Sequence, residues 1–261
     1  MFNFFKVQKV TKESKKFELA KDFENIPKIM SYFKEETGID FDEQVTIFKS
    51  KLTSFCRIYK ISSFDICLKN IKIDTALRQE LINYLTTNES FFYREFHQIE
   101  SLVNTVKNSY KRVEILCVPC ANGEEPYSIA IALMEAGVSK SMFHITGIDI
   151  SSAAVLRSQE AIYNEKGIRN LSPELRFKYF RQEGELYHLN VEVKEQVDFK
   201  CMNIFDEYFK KLGLFDYIFS RNMLIYFDSH TRFKAQQLFK EHLKDSSQTI
   251  YFGHADLTHE H

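Results

Sequence analysis

V-E-I-L-C-V-P-C-A-N-G-E-E-P-Y-S-I-A-I-A-L-M, residues 113–134, followed after a short connection by F-H-I-T-G-I-D, residues 143–149, decides the architecture of this chain. Val113 to Val118 is an apolar run of strand length with β-branched members. Ala121-Asn122-Gly123 reads as a turn, because Gly123 can adopt dihedrals that other residues resist. From Glu124 the apolar spacing becomes helical, with Ile129, Leu133 and Met134 on one face. Pro126 suits a first helical turn, where its missing N–H costs nothing. Phe143 to Ile148 makes a second strand that ends in Asp149. Strand, tight turn, helix and strand with a terminal acid form one βαβ unit, and the acid is placed to hold ribose hydroxyls.

The turn is equally informative for what it lacks. A dinucleotide site calls for G-x-G-x-x-G and a nucleoside triphosphate site for G-x-x-x-x-G-K-[ST]. Here there is one glycine, no lysine, and two carboxylates, Glu124 and Glu125, at the helix start. A helix N-terminus welcomes phosphate, but two fixed negative charges oppose it. Two readings stand. Either the ligand is an adenosine carrying positive charge, such as S-adenosylmethionine, or the glutamates merely complement the helix dipole.

Length and charge set the outer bounds. At 261 residues the chain can bury a large core, and a small domain beside a larger α/β domain is the natural division. A formal net charge of −1 supplies no general drive toward nucleic acid or acidic membrane. No apolar run reaches membrane-spanning length, and Met1-Phe2-Asn3-Phe4-Phe5-Lys6 is too short for a secretory core. The expectation is a cytoplasmic protein with no membrane insertion. Five cysteines, an odd number, argue against a disulfide framework. Cys117-Val118-Pro119-Cys120 invites a redox reading, yet Cys117 lies inside the strand rather than at a helix start. A metal site would need a second ligand pair, so no metal is expected. The pair reads as small buried residues beneath the turn.

Around this unit the chain divides in order. Residues 1–20 are lysine-rich and aperiodic, and read as a mobile arm. Phe23, Ile26, Ile29, Met30 and Phe33 predict a helix over 22–34, closed by Thr37-Gly38. A second helix places Phe48, Leu52, Phe55 and Tyr59 on one stripe, with Lys49, Arg57 and Lys60 on the opposite side. That basic face either docks an acidic partner helix or is solvated surface. Short helices near 63–69 and 75–85 complete a helical unit. Next comes T-T-N-E-S-F-F-Y-R-E-F-H-Q-I, residues 86–99, where Thr86, Thr87, Asn88 and Ser90 precede three aromatics and Arg94. It is either a capped helix start or the lining of a site. The helix that follows carries Phe96, Ile99, Val103 and Val106.

After Asp149 a helix capped by Ser151 is expected, then an interruption at 164–200 with a short helix near 172–180 and a period-2 run, Leu186 to Val193. Strands resume at Val197–Asn203, Phe215–Ser220 and Thr249–Gly253, with a long helix to Leu243 before the last. Asp149, Asn203, Ser220-Arg221-Asn222 and Gly253 would mark the ligand-binding rim at the strands' carboxyl ends.

Four motifs together carry a specific resemblance: T-T-N-E-S-F-F-Y-R-E, A-N-G-E-E-P-Y-S-I-A, N-I-F near 203, and F-D-Y-I-F-S-R-N-M-L-I-Y-F-D at 215–228. The chain resembles the bacterial chemoreceptor glutamate O-methyltransferases, the CheR-type chemotaxis methyltransferases, from its helical domain to about residue 255. The resemblance implies an α/β, Rossmann-like S-adenosylmethionine-dependent methyltransferase domain with an inserted small β-subdomain, preceded by an all-helical N-terminal domain. The divisions would be 1–85, a linker and cofactor-lining helix at 86–112, and 113–261 with the insertion at about 164–200. Asn88, Ser90 and Arg94 would line the methionine and methyl end of the cofactor, Glu124 or Glu125 its cationic end, and Asp149 its ribose. Asn203 and Ile204 would bracket adenine, Asn222 and Met223 would pass beneath the methionine, and Arg94 and Tyr226 would flank the acceptor carboxylate.

The reaction so implied is methyl transfer to receptor glutamates, giving a γ-methyl ester and S-adenosylhomocysteine. The partner would be the cytoplasmic methylation region of chemoreceptors, with Lys49, Arg57 and Lys60 as the docking face and the enzyme a monomer. Ser90 stands where the family commonly has threonine, and Pro119-Cys120-Ala121-Asn122 replaces a small polar run. Arg181-Gln182-Glu183-Gly184-Glu185 is short for the loop that binds a receptor's C-terminal pentapeptide, so that tether is not expected. The family's last strand, after Gly253, is not found either, which predicts a sheet one strand smaller. The rivals are a methyltransferase with another substrate and a cofactor-binding adaptor or sensor without catalysis.

Overall fold

A computed structural model describes residues 20–257, with the side chain of Leu257 excepted. The expected arm, residues 1–20, lies outside the described residues apart from Ala20, which is buried. Five parallel strands form the main sheet: β1 (Val113–Cys117), β2 (Phe143–Asp149), β6 (Val197–Cys201), β7 (Tyr217–Ser220) and β8 (Ile250–Phe252). A second sheet comprises β3 (Ile162–Asn164), β4 (Phe180–Glu183) and β5 (Leu186–Leu189), and is antiparallel. The main order is β6-β2-β1-β7-β8, so the winding direction reverses at β1. In such sheets the crevice beside the reversal, at the strands' carboxyl ends, receives the ligand.

Alternation along β1 builds both faces. Ile115 and Cys117 join one apolar cluster with the helices Phe96–Val106 and Glu124–Glu135, while Leu116 and Val118 join the other with Ile218 and Phe239. The helix Phe96–Val106 therefore shares the sheet's core. Glu124–Glu135 departs from expectation: every residue from Glu124 to Leu133 is buried, not one stripe. The insertion explains this, because Tyr163, Tyr179 and Val193, from its sheet and its short helices, cover the side that would otherwise face water.

A third cluster belongs to the helices Ile26–Thr37, Val45–Ile58, Phe64–Ile73 and Thr75–Leu85. The first opens as a 3-10 turn over Phe23–Asn25 rather than as α-helix. Asp22 turns away to accept the Phe64 and Asp65 backbone N–H groups at 2.7 and 2.8 Å, capping another helix. Gly38 ends Ile26–Thr37 in the left-handed region at φ 77°. Phe48, Leu52 and Phe55 are buried as read, but Tyr59 and Lys60 lie past the helix end, and Lys60 has φ 56°. The basic face is thus Lys49 and Arg57 on the helix with Lys60 in the turn beyond it, and Lys49 stands 4.0 Å over the Phe23 ring.

The insertion begins earlier than expected, at Ile162, and the period-2 run breaks at Asn190. Val191–Lys194 is a helical turn that buries Val193 in the cluster around the helix Glu124–Glu135, so alternation ends before the chain enters β6. Gly184 closes the β4–β5 hairpin at φ 61°. Among the described residues the main sheet has five strands, and His254–Leu257 follows β8 as a helical turn.

Candidate active site

The turn after β1 is built by close approach. Gly123 has φ 90°, and a Cβ there would come within 2.9 Å of Ser158 Cβ and 3.1 Å of the Tyr163 hydroxyl. Gly147 on β2 is equally confined: a Cβ would meet the Phe199 ring at 2.7 Å and Cys120 Cβ at 3.0 Å. These contacts seat the turn directly on the end of β2. Asp149 secures it, accepting the Ala121 N–H at 3.0 Å and the Ser151 N–H at 2.8 Å. Burial pushes the Asp149 carboxyl up to about 6, against the pull of those donors. Cys117 and Cys120 lie beneath, fully buried, with thiols pushed up by desolvation. A reactive thiol needs the opposite shift, so the redox reading is set aside.

The two helix-start glutamates are not the paired free charges that their spacing suggested. Glu125 forms a buried ion pair with Arg221 Nε, and Arg221 Nη1 donates to the Arg94 carbonyl at 2.7 Å. Glu125 Oε1 is buried with no nitrogen or oxygen partner. Glu124 is buried beside Asn122, and desolvation pushes it up to about 7. Arg221 neutralises the Glu125 charge, and the buried Oε1 is left as an acceptor for a donor group of a ligand.

Two chambers meet at the reversal point. One, of about 330 Å³, runs between the N-terminal helices and the strand ends, and includes Thr37, Phe41, Asn88, Asp149, Ile204 and Met223 in its wall. The other, of about 320 Å³, includes Ser90, Phe91, Arg94, Glu125, Arg221 and Ile225. Thr87, Pro119, Asn222 and Tyr226 belong to both walls, so the chambers are adjacent. The first is chiefly apolar, with the acid Asp149 in its wall. The second is polar and carries two guanidinium groups.

Of the residues singled out from sequence, Asn88, Asp149, Asn203, Ile204, Asn222, Met223 and Tyr226 line the first chamber. Ser90, Arg94, Glu125, Asn222 and Tyr226 line the second. Glu124 lines neither, which leaves Glu125 as the glutamate facing ligand space. Asn203 also has a structural duty: its Nδ2 donates to the Glu36 carbonyl at 2.7 Å, and its Oδ1 accepts the Phe205 N–H. Arg94 stands 5.7 Å from the Phe91 ring centre, and Arg169 covers the same ring at 3.5 Å. Tyr226 is half-buried, its phenol raised by burial and lowered by the nearby Arg94 charge.

Sequence reasoning missed the clamps. Asn122 donates to the Asn88 carbonyl at 2.8 Å and accepts Arg157 Nε at 2.8 Å, which ties the 86–95 stretch to the glycine turn. Asn83 and Gln79, from the helix Thr75–Leu85, bond Ser152 Oγ and the Ile150 carbonyl just past Asp149. Thr37, Ile39, Phe41 and Lys51 of the N-terminal unit also line the first chamber. Nothing in local patterning marks these residues, since each acts across a long sequence separation.

Parallel strands wound in both directions from β1, with a chiefly apolar chamber over their carboxyl ends and Asp149 in its wall, define a Rossmann-like ligand-binding class. Residues 88–261 match the family model described as CheR methyltransferase, SAM binding domain. The chain is 34% identical over 224 residues to the chemotaxis protein methyltransferase of Campylobacter jejuni, covering 85% of this chain and 84% of that one. It is 32% identical over 239 residues to chemotaxis protein methyltransferase 2 of Vibrio cholerae, covering 86% and 82%. The chemotaxis protein methyltransferase of Borreliella burgdorferi is 31% identical over 235 residues, covering 84% and 83%. This chain belongs to the CheR methyltransferase family, and it is an S-adenosylmethionine-dependent methyltransferase. Among the described residues there is no cluster of metal-binding side chains and no helix long and apolar enough to cross a membrane.

Proposed function

We propose that this enzyme methylates glutamate side chains of chemoreceptors, forming γ-methyl esters. The observation that carries the reading is the junction of the two chambers, one suited to an uncharged nucleoside and the other lined by Arg94 and Arg221. In this reading S-adenosylmethionine, when bound, supplies the electrophilic methyl group. Asp149 holds the ribose, Asn203 and Ile204 flank the adenine, and Asn88, Asn222 and Met223 contact the methionine portion. Glu125 Oε1, buried without a nitrogen or oxygen partner, accepts from the ligand's amino group.

The acceptor carboxylate is already ionised near neutrality, so no strong base is needed. Arg94 orients it by charge-assisted hydrogen bonds, and Ser90 and the Tyr226 hydroxyl lie on the same wall. Arg94 would also stabilise the ground-state anion, so its contribution is alignment. Well-held reactants can recover about 7–11 kcal/mol of a bimolecular barrier. Domains at 1–85 and 113–261, with 86–112 as linker and lining, complete the reading, although Phe96–Val106 is packed with the sheet. Lys49, Arg57 and Lys60, all exposed, provide the docking face for an acidic receptor helix in the cytoplasm, with the enzyme acting as a monomer. The tight β4–β5 hairpin supports recognition without a pentapeptide tether.

The test is transfer of tritiated methyl from S-adenosylmethionine to a purified cytoplasmic receptor fragment. Alkali should release the label as methanol, as an ester requires. Label resistant to alkali, or labelling confined to small molecules, would sink the assignment.

A further inference from the structure

Sequence places Gly253, the end of the last strand, on the rim and finds no strand after it, yet the segment that follows delivers a buried carboxylate to the back of the site. Asp256 is 2% exposed and faces the loop that follows β7. Its Oδ2 accepts the Asn222 N–H at 2.5 Å and the Gly253 N–H at 3.1 Å, and its Oδ1 accepts the Ile225 N–H at 3.2 Å. Three backbone donors from two separate segments thus converge on one acid. Asn222 sits at φ 58°, a left-handed conformation that costs a non-glycine residue free energy and persists only when its surroundings hold it. A carboxylate is suited to this task, because hydrogen bonds to an ionised acceptor are the stronger kind.

Gly253 is fitted to the same arrangement. A Cβ there would lie 2.9 Å from the Asn222 nitrogen and 3.0 Å from Asp256 Oδ2, so a side chain would push the acid out of reach. The segment is anchored on its other flank as well. Gln98 donates to the Phe252 carbonyl at 2.8 Å, and the His254 N–H reaches Glu95 Oε2 at 3.3 Å, next to Arg94 in sequence. Asp256 lines neither chamber, so it has no path to a bound ligand except through the loop.

We propose that Asp256 is a positioning residue for methyl transfer, its carboxylate fixing the loop that presents Asn222, Met223 and Tyr226 to cofactor and acceptor. The inference rests on the reading of that loop as site wall. Asp256→Asn keeps size but replaces one acceptor oxygen by an NH₂ group, which confronts a backbone N–H instead of accepting it.

The experiment compares wild type and Asp256→Asn at a temperature where circular dichroism shows both fully folded. S-adenosylhomocysteine affinity is measured by calorimetry and kcat with saturating cofactor. The expected result is a dissociation constant raised at least ten-fold and a kcat lowered at least ten-fold, with partial recovery of both in Asp256→Glu. A purely structural residue would shift the melting temperature and leave both constants of the folded protein alone, and that outcome overturns the proposal. Should Asp256→Asn fail to fold, amide exchange in the wild type decides. The Asn222, Ile225 and Gly253 amides must be protected together, and exchange at free-loop rates overturns the proposal. A wild type that ignores S-adenosylhomocysteine altogether would instead overturn the reading of the site.

Discussion

Asp149 and Arg94 show how one residue's surroundings decide its chemistry. Asp149 is buried and its carboxyl is raised to about 6, so near neutrality it is ionised but holds its charge at a cost. A folded-state value above the unfolded one, near 3.9, stabilises the fold at low pH. That contribution is complete below the unfolded value and is lost as pH rises through about 6. If Asp149 holds the ribose as proposed, the cofactor hydroxyls need the ionised acceptor, so binding has the opposite dependence and releases protons. We expect S-adenosylhomocysteine affinity to fall as pH drops from 7.5 toward 5, about ten-fold per unit once below the Asp149 value. Calorimetry in two buffers of different ionisation heat measures the released proton directly, and no release at pH 6 would contradict this role. Arg94 lies in the polar chamber and not in the apolar one. Arg94→Ala should therefore lower kcat by about a hundred-fold through lost alignment, while changing S-adenosylhomocysteine affinity by less than about three-fold. Unchanged turnover would remove Arg94 from the acceptor site.

At the level of elements, the glycine turn between β1 and its helix is a tight joint. Gly123→Ala would force a Cβ into the left-handed region at φ 90° and into Ser158 Cβ. A loss of about 2–3 kcal/mol in urea unfolding is expected, and a cost below about 0.5 kcal/mol would show that the turn relaxes freely. This joint was legible because it is local: strand period, turn residue, helix period and terminal acid all fall within residues 113–149. The helices of 26–85 were legible for the same reason, their apolar spacing matching the buried faces of Ile29, Phe33, Phe48, Leu52 and Phe55. What stayed hidden depends on distant partners. The helix Glu124–Glu135 is covered on its outer side by residues around 163–193, which no periodicity within it records. The run Leu186 to Val193 alternates in sequence, yet it turns helical after Asn190, where Val193 packs into the cluster of the helix Glu124–Glu135. Asp256 and Arg221 are ordinary polar residues until segments 31–34 and 96 positions away are folded against them.

On the scale of the molecule, the apolar chamber exists only because the N-terminal helices dock on the sheet. Thr37, Ile39, Phe41 and Lys51 form one wall while Asp149, Ile204 and Met223 form the other. Docking is held near the end of the helix Ile26–Thr37. Lys34 Nζ sits 2.8 Å from Asp228 and 2.7 Å from Asp40, the Asp40 N–H donates to the Tyr226 carbonyl at 2.8 Å, and Gly38 lies against the Phe205 ring. The Lys34 ammonium holds Asp228 well below the usual carboxylate range, helped by the Thr231 N–H that this N-cap accepts. A depressed carboxylate contributes stability above its unfolded value, and that contribution disappears as pH falls through the folded one. The pair is partly exposed, so solvent and salt screen it, and its direct worth is at most about 1 kcal/mol. Its larger effect should be on shape. Lys34 touches neither chamber, yet Lys34→Met loosens the joint that brings Thr37 and Phe41 over the strand ends. S-adenosylhomocysteine affinity should then fall about three- to ten-fold with less than about 1 kcal/mol lost in unfolding, because an open chamber buries less of the ligand. Wild-type affinity should weaken in the same direction between 50 and 500 mM salt, and Lys34→Met should lose most of that salt dependence. If the variant binds as tightly as wild type and remains equally salt-sensitive, the chamber closes without this joint, and the apolar contacts around Gly38 and Phe205 must hold the helices on their own.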